Sequence, residues 1–143
     1  MKATIIYYSH KGKTAGYARE IAMYLWSKGL DVSLASVSDY KEDKLHNTDF
    51  LLLGCWTSGW FIVHQHPHKS WVDFARTLPH PFSQKLLLFT TYKIRTGSMF
   101  RKMKKHIAPI DSNIFSLKSR SGHLTDTDKR TLDTMIRQKH INE

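Results

Sequence analysis

A short stretch near the N-terminus combines small hydroxyl side chains, lysines and a glycine: Ser9, His10, Lys11, Gly12, Lys13 and Thr14. It follows an apolar run, residues 3–8, and opens an amphipathic segment, residues 15–28. The start of a helix binds anions through free N–H groups and a positive dipole end, and a glycine lets the backbone approach a ligand closely. The stretch matches neither the triphosphatase nor the dinucleotide glycine motif. It predicts a phosphate-binding loop, with an ordinary polar strand–helix turn as the alternative.

Aromatic side chains follow two later apolar runs. Trp56 and Trp60 come after residues 50–55, and Tyr92 comes after residues 85–91. A flat heterocycle is held between aromatic or apolar faces, with polar groups at its edge. Together with the phosphate loop, these residues favour a site for a planar molecule that carries a phosphate. The alternatives are that the tryptophans are core or dimer-interface residues and that Tyr92 covers a helix.

The elements that must position these residues alternate between strands and helices. Apolar runs predict five strands, at residues 3–8, 31–37, 50–55, 85–91 and 113–117. Helices are predicted at residues 15–28, 71–78 and 98–106, and a last one begins at the capping box Thr125-x-x-Asp128. The alternation predicts one α/β domain over residues 1–143, with a five-stranded parallel sheet of order 2-1-3-4-5 and helices on both faces. The loops after strands one, three and four meet at one edge of such a sheet; they are residues 9–14, 56–67 and 92–97.

Two of these loops resemble a known family. Ser9-x-x-Gly12-x-Thr14 resembles the phosphate loop of flavodoxins, Ser/Thr-x-Thr/Asn-Gly-x-Thr/Ser, except that Lys11 stands at the third position. Residues 54–60, Gly-Cys-Trp-Thr-Ser-Gly-Trp, are similar to the Gly-x-x-Thr-x-Gly segment that ends strand three in flavodoxins. The resemblance implies a flavodoxin-like three-layer sandwich that binds FMN and carries electrons between redox partners.

The resemblance also implies a role for each part of the site. Residues 9–14 would hold the phosphate, with the ammonium of Lys11 replacing a hydroxyl donor. Trp56 or Trp60 would pack on one face of the flavin ring and Tyr92 on the other. The remaining predicted cofactor-binding residues border the ring; they are Thr57, Ser58, Gly59 and, at the end of the fourth-strand loop, Gly97. No residue is predicted to act as an acid, base or nucleophile, because the flavin itself carries the redox chemistry.

The chain is strongly basic. It has 22 Lys and Arg against 12 Asp and Glu, a formal net charge of +10, and Asp73 is the one carboxylate between Asp49 and Asp111. Many flavodoxins instead surround their flavin with acidic residues. Cationic loops would stabilise a reduced, anionic flavin and raise its potential. We therefore expect an acidic redox partner protein or a small-molecule electron acceptor, with a merely solvated basic face as the alternative.

Two features suggest special chemistry but have simpler interpretations. Cys55 lies between an apolar run and Trp56, a context typical of a buried small residue rather than a redox thiol. The segment His64-Gln65-His66-Pro67-His68 places three imidazoles within five residues. However, the proline interrupts the local geometry and no partnering cysteine or carboxylate lies nearby. We expect a solvated loop without a metal, with contact to the flavin or a partner as the alternative.

Two other classes of function stay open. Flavodoxin-fold protoporphyrinogen oxidases are basic and have a similar first loop and an aromatic and histidine segment, here Trp60-Phe61-x-x-His64. The chain is therefore alternatively an FMN-dependent oxidoreductase of a porphyrinogen or quinone, although the long insertion of those enzymes has only residues 104–112 to match it. The other class is a binding module without flavin. A nucleic-acid partner is not expected, because no recognition motif accompanies the basic residues. Pairing into a homodimer is left open.

Composition also bears on location. The single cysteine rules out an intrachain disulfide and is typical of a reducing compartment. The first residues run directly into a strand without a signal-peptide pattern, and no apolar stretch approaches the roughly 20 residues of a membrane helix. These features predict a cytoplasmic protein without a transmembrane segment.

Overall fold

The computed structural model describes residues 1–60, 63–79, 82–107 and 114–142, without the side chains at positions 59, 60, 63 and 64. The strands are β1 (Lys2–Tyr8), β2 (Asp31–Ser36), β3 (Phe50–Trp60), β4 (Val63–Pro67), β5 (Lys85–Thr91) and β6 (Phe115–Ser119). The α-helices are α1 (Lys13–Ser27), α2 (Lys69–Thr77), α3 (Met99–Lys104) and α4 (Asp126–Ile141), and a short 3₁₀-helix spans Glu42–Leu45. None of the described helices is both long and apolar enough to cross a bilayer.

The strands form a parallel sheet in the order β2-β1-β3-β5-β6, to which β4 adds an antiparallel edge on β3. The central strand β3 pairs with both β1 and β5, so that Leu52 lies between Ile5 and Leu87. Counting only the five parallel strands, this is the predicted order 2-1-3-4-5. The α/β sandwich expected from the sequence is confirmed.

Apolar side chains are buried on both faces of the sheet. One cluster contains Ile5, Leu52 and Phe89 together with residues of α1 and α4. The other contains their neighbours Ile6, Leu53 and Leu88 together with residues of α2 and α3. Adjacent strand residues point to opposite faces, so a strand covered on both sides must be apolar at every position. This explains why the strands appear in the sequence as continuous apolar runs rather than as alternating patterns.

A glycine in β3 fixes how closely β3 and β5 pack. Gly54 and Phe89 are partners across the two strands. A Cβ at Gly54 would overlap the ring of Phe89, which is fully buried. The absence of a side chain therefore lets the phenylalanine cross β3 just below the strand ends.

The segment after Cys55 differs from its prediction. Residues 56–67 were expected as a loop, but β3 continues to Trp60 and pairs with β4 as a hairpin, with Thr57 opposite Pro67 and Ser58 opposite His66. The register shifts between Ser58 and Trp60. The prediction was wrong because the pairing partner of these polar residues lies within the same segment, and composition does not reveal pairing.

Other boundaries agree more closely. The strand at residues 85–91 has the predicted bounds, and the fifth predicted strand, at residues 113–117, is shifted to Phe115–Ser119, with its first residue, Asn113, outside the described residues. The capping box of α4 is confirmed, because Thr125 Oγ1 accepts from Asp128 N at 3.2 Å and Asp128 Oδ2 accepts from Thr125 N at 3.1 Å. Ser98, predicted to cap α3, precedes the helix without a side-chain capping bond.

Candidate functional site

A cavity of about 520 Å³ lies at the carboxyl ends of β1, β3 and β5. The three predicted loops meet there, and the second of them, which forms the β3–β4 hairpin, contributes Trp56, Thr57, Ser58 and Gln65. The described lining residues are His10, Lys11, Lys13, Thr14, Trp56, Thr57, Ser58, Gln65, Thr91, Tyr92, Lys93, Ile94 and Arg95. The volume is within the range of small-molecule and cofactor sites, about 300–1,000 Å³.

The loop after β1 is shaped by its own short-range hydrogen bonds. Gly12 has φ of +91°, a left-handed conformation that L side chains adopt only with strain, and it precedes the first residue of α1. Ser9 Oγ accepts from Gly12 N at 3.1 Å and from Ala15 N at 3.2 Å. The serine hydroxyl therefore braces the loop from inside and keeps its own proton for donation.

Two lysines line the cavity at this end. Lys11 and Lys13 are exposed, so their ammonium groups are accessible to a ligand that enters the cavity from solution. The stem of Lys13 lies against Gly122 in the loop after β6, where a Cβ would lie 2.7 Å from Lys13 Cγ. Gly122 itself has φ of +84°. The glycine thus makes room for the lysine stem beside the start of α1, so that the ammonium groups and the helix dipole are positive at the same place.

Threonine side chains connect the strand ends beneath the cavity. The fully buried hydroxyl of Thr14 lies 2.6 Å from that of Thr91, which ties the start of α1 to the end of β5. Thr57 Oγ1 and Thr90 Oγ1 are 2.8 Å apart, and Thr90 Oγ1 donates to Cys55 O at 2.6 Å. These bonds fix β3, β5 and α1 relative to one another where the cavity begins.

Trp56 lines the cavity, and its indole ring lies close to the imidazole rings of two histidines. His10 stacks on it at a centroid distance of 4.9 Å and an angle of 24°, and the ring of His68 is 6.1 Å away. Trp56 Nε1 and Ser58 Oγ are buried and have no hydrogen-bond partner among the described residues. Two polar atoms at the cavity wall are therefore left without a protein partner, a situation that costs about 1–3 kcal/mol each unless a ligand satisfies them.

The loop after β5 forms the outer rim. Tyr92 is half-buried, whereas Lys93, Ile94 and Arg95 are exposed, Ile94 to 49%. Every charged residue among the described lining residues is basic: Lys11, Lys13, Lys93 and Arg95. A ligand in the cavity therefore lies in a positive potential, which binding of an anion would partly neutralise.

Comparison with known proteins shows the family to which the chain belongs. The family model named Flavodoxin matches residues 5–103, more than half of the chain. The chain belongs to the flavodoxin family. A flavodoxin of Clostridium beijerinckii is 29% identical over 103 residues, which are 72% of this chain and 73% of that protein.

Solved flavodoxins share the fold. The two-electron reduced flavodoxin of Megasphaera elsdenii superposes with a TM-score of 0.67 at 21% identity and covers 95% of this chain and 98% of its own. Flavodoxin 2 of Bacillus cereus gives a TM-score of 0.66 at 16% identity with complete coverage of both chains. Membership of the family makes this protein a flavodoxin-like electron carrier and implies a flavin as its cofactor.

The side chains of this flavodoxin fit a flavin with a phosphate. The cavity is lined by two ammonium groups beside the start of a helix, and by Trp56, Tyr92 and two buried polar atoms that have no hydrogen-bond partner among the described residues. Of the predicted residues, His10, Lys11, Lys13 and Thr14 of the first loop line the cavity together with residues 56–58 and Tyr92. Ser9, Gly12 and Gly97 are not among the lining residues, and neither the side chain of Trp60 nor Phe61 is among the described parts of the chain. Their roles stay predictions.

The cysteine and histidines near the site have structural contacts. Cys55 is completely buried, as predicted, and burial raises the pKa of its thiol to about 12. His68 Nδ1 accepts from Ser70 N at 3.1 Å and so caps α2, and its ring stacks on Tyr8 at 4.4 Å. His66 is exposed, and the side chain of His64 lies outside the described residues. Over the part of the chain that the structure describes, no three ligating side chains group as a metal site would require.

The sequence argument assigned no role to several lining residues, among them Gln65, Thr91 and Ile94. Gln65 lies in β4, in the segment that was expected to be solvated, yet it is only 4% exposed. In the structure burial alternates along β4, with Gln65 and Pro67 covered and His66 exposed, but the segment has no apolar alternation in sequence from which the strand could have been predicted.

Proposed function

We propose that this flavodoxin binds FMN in the cavity at the strand ends and passes electrons to a partner with an acidic surface, with residues 1–143 acting as one domain. The observation that carries the proposal is that one cavity is lined both by lysines at the start of α1 and by aromatic side chains with two buried polar atoms that have no partner among the described residues. FMN carries the matching groups, a phosphate and a flat ring with polar atoms at its edge. When bound, the flavin supplies the electron transfer.

The loop after β1 would hold the phosphate. Lys13 and Thr14 begin α1, where backbone N–H groups lack helical partners, and Lys11 and Lys13 would add charge-assisted hydrogen bonds. Ser9 would donate its hydroxyl proton while its oxygen keeps the loop in shape. Gly12 would be required for the left-handed turn rather than for a contact.

The ring would lie between the two wall segments. Trp56 and Tyr92 are the aromatic candidates for its two faces, and Thr57, Ser58, Gly59 and Trp60 would border it. His10 covers one face of Trp56, so a ring on that face requires the exposed imidazole of His10 to rotate away or to remain as an outer cover. Both arrangements leave Trp56 as a wall of the site.

The residues at the rim of the cavity indicate which kind of partner would bind there. Lys93 and Arg95 flank the exposed Ile94 at the cavity mouth, which offers an apolar contact inside a basic border. Complementary charge steers association and fixes orientation more than it adds affinity. An acidic protein surface meets these requirements, and a small anionic electron acceptor is the other partner of the same charge.

The proposal is tested by titrating the protein with FMN and with riboflavin, which lacks the phosphate, and following flavin fluorescence. We expect FMN to bind more tightly than riboflavin. We expect the double variant Lys11→Met/Lys13→Met to weaken FMN binding by about 10- to 100-fold, since a hydrogen bond to a charged group contributes about 1.5–3 kcal/mol. Riboflavin binding should not change.

Arg137→Met is the matched control, because Arg137 is an exposed cation on α4 that does not line the cavity. It should bind FMN as the natural protein does. Failure of the natural protein to bind FMN at micromolar concentration would contradict the proposal, and so would equal affinity for FMN and riboflavin.

A further inference from the structure

The loop after β6, residues 120–125, reaches the candidate site, although the sequence argument gave it no role. Gly122 in this loop lies against Lys13 at the start of α1, and a Cβ at Gly122 would lie 2.7 Å from Lys13 Cγ and 3.2 Å from Lys13 O. The next residue, His123, lies 3.1 Å from Glu20 of α1, measured from Nδ1 to Oε2. The loop therefore contacts α1 at two places, and one of them is the stem of a lysine that lines the cavity.

The shape of this loop is fixed by one side chain. Ser119, the last residue of β6, is only 6% exposed. Its Oγ accepts from Gly122 N at 2.9 Å and donates to His123 O at 3.1 Å. Gly122 has φ of +84°, a conformation that glycine adopts without strain. The buried serine and the glycine therefore close a tight turn that holds Gly122 against α1.

The same serine is tied to the rim of the cavity. Ser119 O accepts from Tyr92 N at 3.2 Å, and Ser119 pairs in register with Thr91 of β5. The loop is thus anchored by buried bonds to the strand that leads into the site, whereas the side chain of Lys13 is exposed. A Cβ at Gly122 would therefore displace the lysine stem rather than the turn.

We propose that Gly122 is a positioning residue for the phosphate of FMN, because the absence of a side chain there leaves room for the stem of Lys13 in the conformation in which it lines the cavity. The inference rests on the proposed binding of FMN and adds a fourth segment to the three loops of the site. An ammonium group attracts a phosphate strongly only at close range, since solvent and salt screen the charges at larger separations. Gly122 would thus influence binding of the phosphate and not of the flavin ring.

The inference is tested by the preference of each variant for FMN over riboflavin, measured by flavin fluorescence. We expect Gly122→Ala to weaken FMN binding by about tenfold, at the lower end of what the loss of a hydrogen bond to a charged group causes, and to leave riboflavin binding unchanged. Lys13→Ala should weaken FMN binding at least as much. In the Lys13→Ala background, Gly122→Ala should cause little further loss, because the side chain that it would displace is absent.

Gly29→Ala is the matched control. Gly29 follows the C-terminal end of α1 with φ of +89°, and apart from its chain neighbours no atom of the described residues lies within 4 Å of a Cβ there. The substitution therefore imposes a similar backbone strain without meeting a side chain, and it should leave the preference for FMN unchanged. A loss of preference as large as that in Gly122→Ala would overturn the inference, because backbone strain alone would then explain both.

The outcomes separate the two proposals. Failure of the natural protein to bind FMN overturns the proposed function. If the natural protein prefers FMN and this preference is unchanged in either Gly122→Ala or Lys13→Ala, only the role of Gly122 is overturned. Far-ultraviolet circular dichroism shows whether each variant is folded.

A measurement without flavin tests the contact itself. Gly122→Ala should lower the urea midpoint by more than Gly29→Ala does. This excess should shrink in the Lys13→Ala background, which removes the Cγ that the new Cβ meets, without vanishing, since Lys13 O remains 3.2 Å from it. Equal losses for Gly122→Ala in the two backgrounds would show that the glycine does not make room for the lysine stem, and would contradict the inference.

Discussion

The two halves of the candidate site are built by contacts of different range. The loop after β1 is shaped by Ser9 Oγ, whose partners Gly12 N and Ala15 N lie three and six residues away. The hairpin is placed by Gln65, whose carbonyl partners lie 33 and 37 residues away. A site built from near neighbours in sequence can be found from a motif. A site built from distant neighbours exists only once the sheet and its helices have packed.

The largest effect is expected for a substitution that disturbs the packing on which the hairpin depends and leaves the loop after β1 unchanged. Gly54→Ala places a Cβ in the ring of the buried Phe89 and should destabilise the protein by about 2–3 kcal/mol, as overpacking in a filled core does. Gly16→Ala, within the first turns of α1 and with no atom near the new Cβ, should instead stabilise by about 0.5–1 kcal/mol. Urea unfolding followed by circular dichroism measures both.

The comparison depends on Gly54→Ala and Gly16→Ala changing the free energy of unfolding in opposite directions. Gly54→Ala should also weaken FMN binding more than its stability loss alone explains, because β3 leads directly to Trp56 and Ser58. A neutral Gly54→Ala would mean that β3 and β5 shift apart without cost, and then the hairpin would not depend on the packing described above.

The same contrast in range explains what the sequence could predict. The strand Lys85–Thr91 and the capping box of Thr125 and Asp128 were found because apolar runs and caps are local signals. The order of the parallel strands also followed, since alternating strands and helices leave few topologies. The hairpin was missed because pairing within residues 56–67 depends on register, and polar residues give register no apolar pattern to follow.

The sequence predicted that three loops meet at one edge of the sheet, but it did not predict which of their side chains contact one another. Residues of three loops do line one cavity. The stacking of His10 on Trp56 could not be foreseen, because side chains in two separate loops approach each other only after the strand ends have met. Gly97 was expected at the cofactor, a role that stays a prediction; in the structure it lies against Gln65, which is 32 positions away in the chain.

A second prediction sharpens the comparison at a long-range hydrogen bond of the loop after β1. Thr14→Val removes the buried hydroxyl that lies 2.6 Å from Thr91 Oγ1 and should destabilise by about 1–2 kcal/mol, because the remaining hydroxyl is left buried without a partner. The double variant Thr14→Val/Thr91→Val should cost less than the sum of the single ones, since neither hydroxyl remains. Thermal or urea unfolding of the four proteins gives the coupling.

Additive costs in this cycle would show that the two hydroxyls do not interact. The threonine pair would then contribute nothing to the attachment of α1 to β5, and the hydrogen bonds of the two halves of the site would differ in range even more than the structure indicates.

The smallest expected effect concerns charge, which belongs to both halves of the site. With FMN bound as proposed, Lys93→Glu or Arg95→Glu should lower the flavin potential, because a negative group at the rim disfavours the reduced, anionic flavin. Between exposed charges the change is about 0.5–1 kcal/mol, or about 20–45 mV for a one-electron step. Raising the salt concentration should shrink the shift.

Arg137→Glu makes the same change in net charge on α4, which starts after β6 and places Arg137 about 16 Å further along the helix, toward the opposite edge of the sheet. Redox titration of the three variants and the natural protein under identical buffer distinguishes local from global charge. A rim effect requires Arg137→Glu to shift the potential much less than Lys93→Glu. Equal shifts would assign the effect to the net charge of the protein, and the basic residues at the cavity would then have no special influence on the flavin.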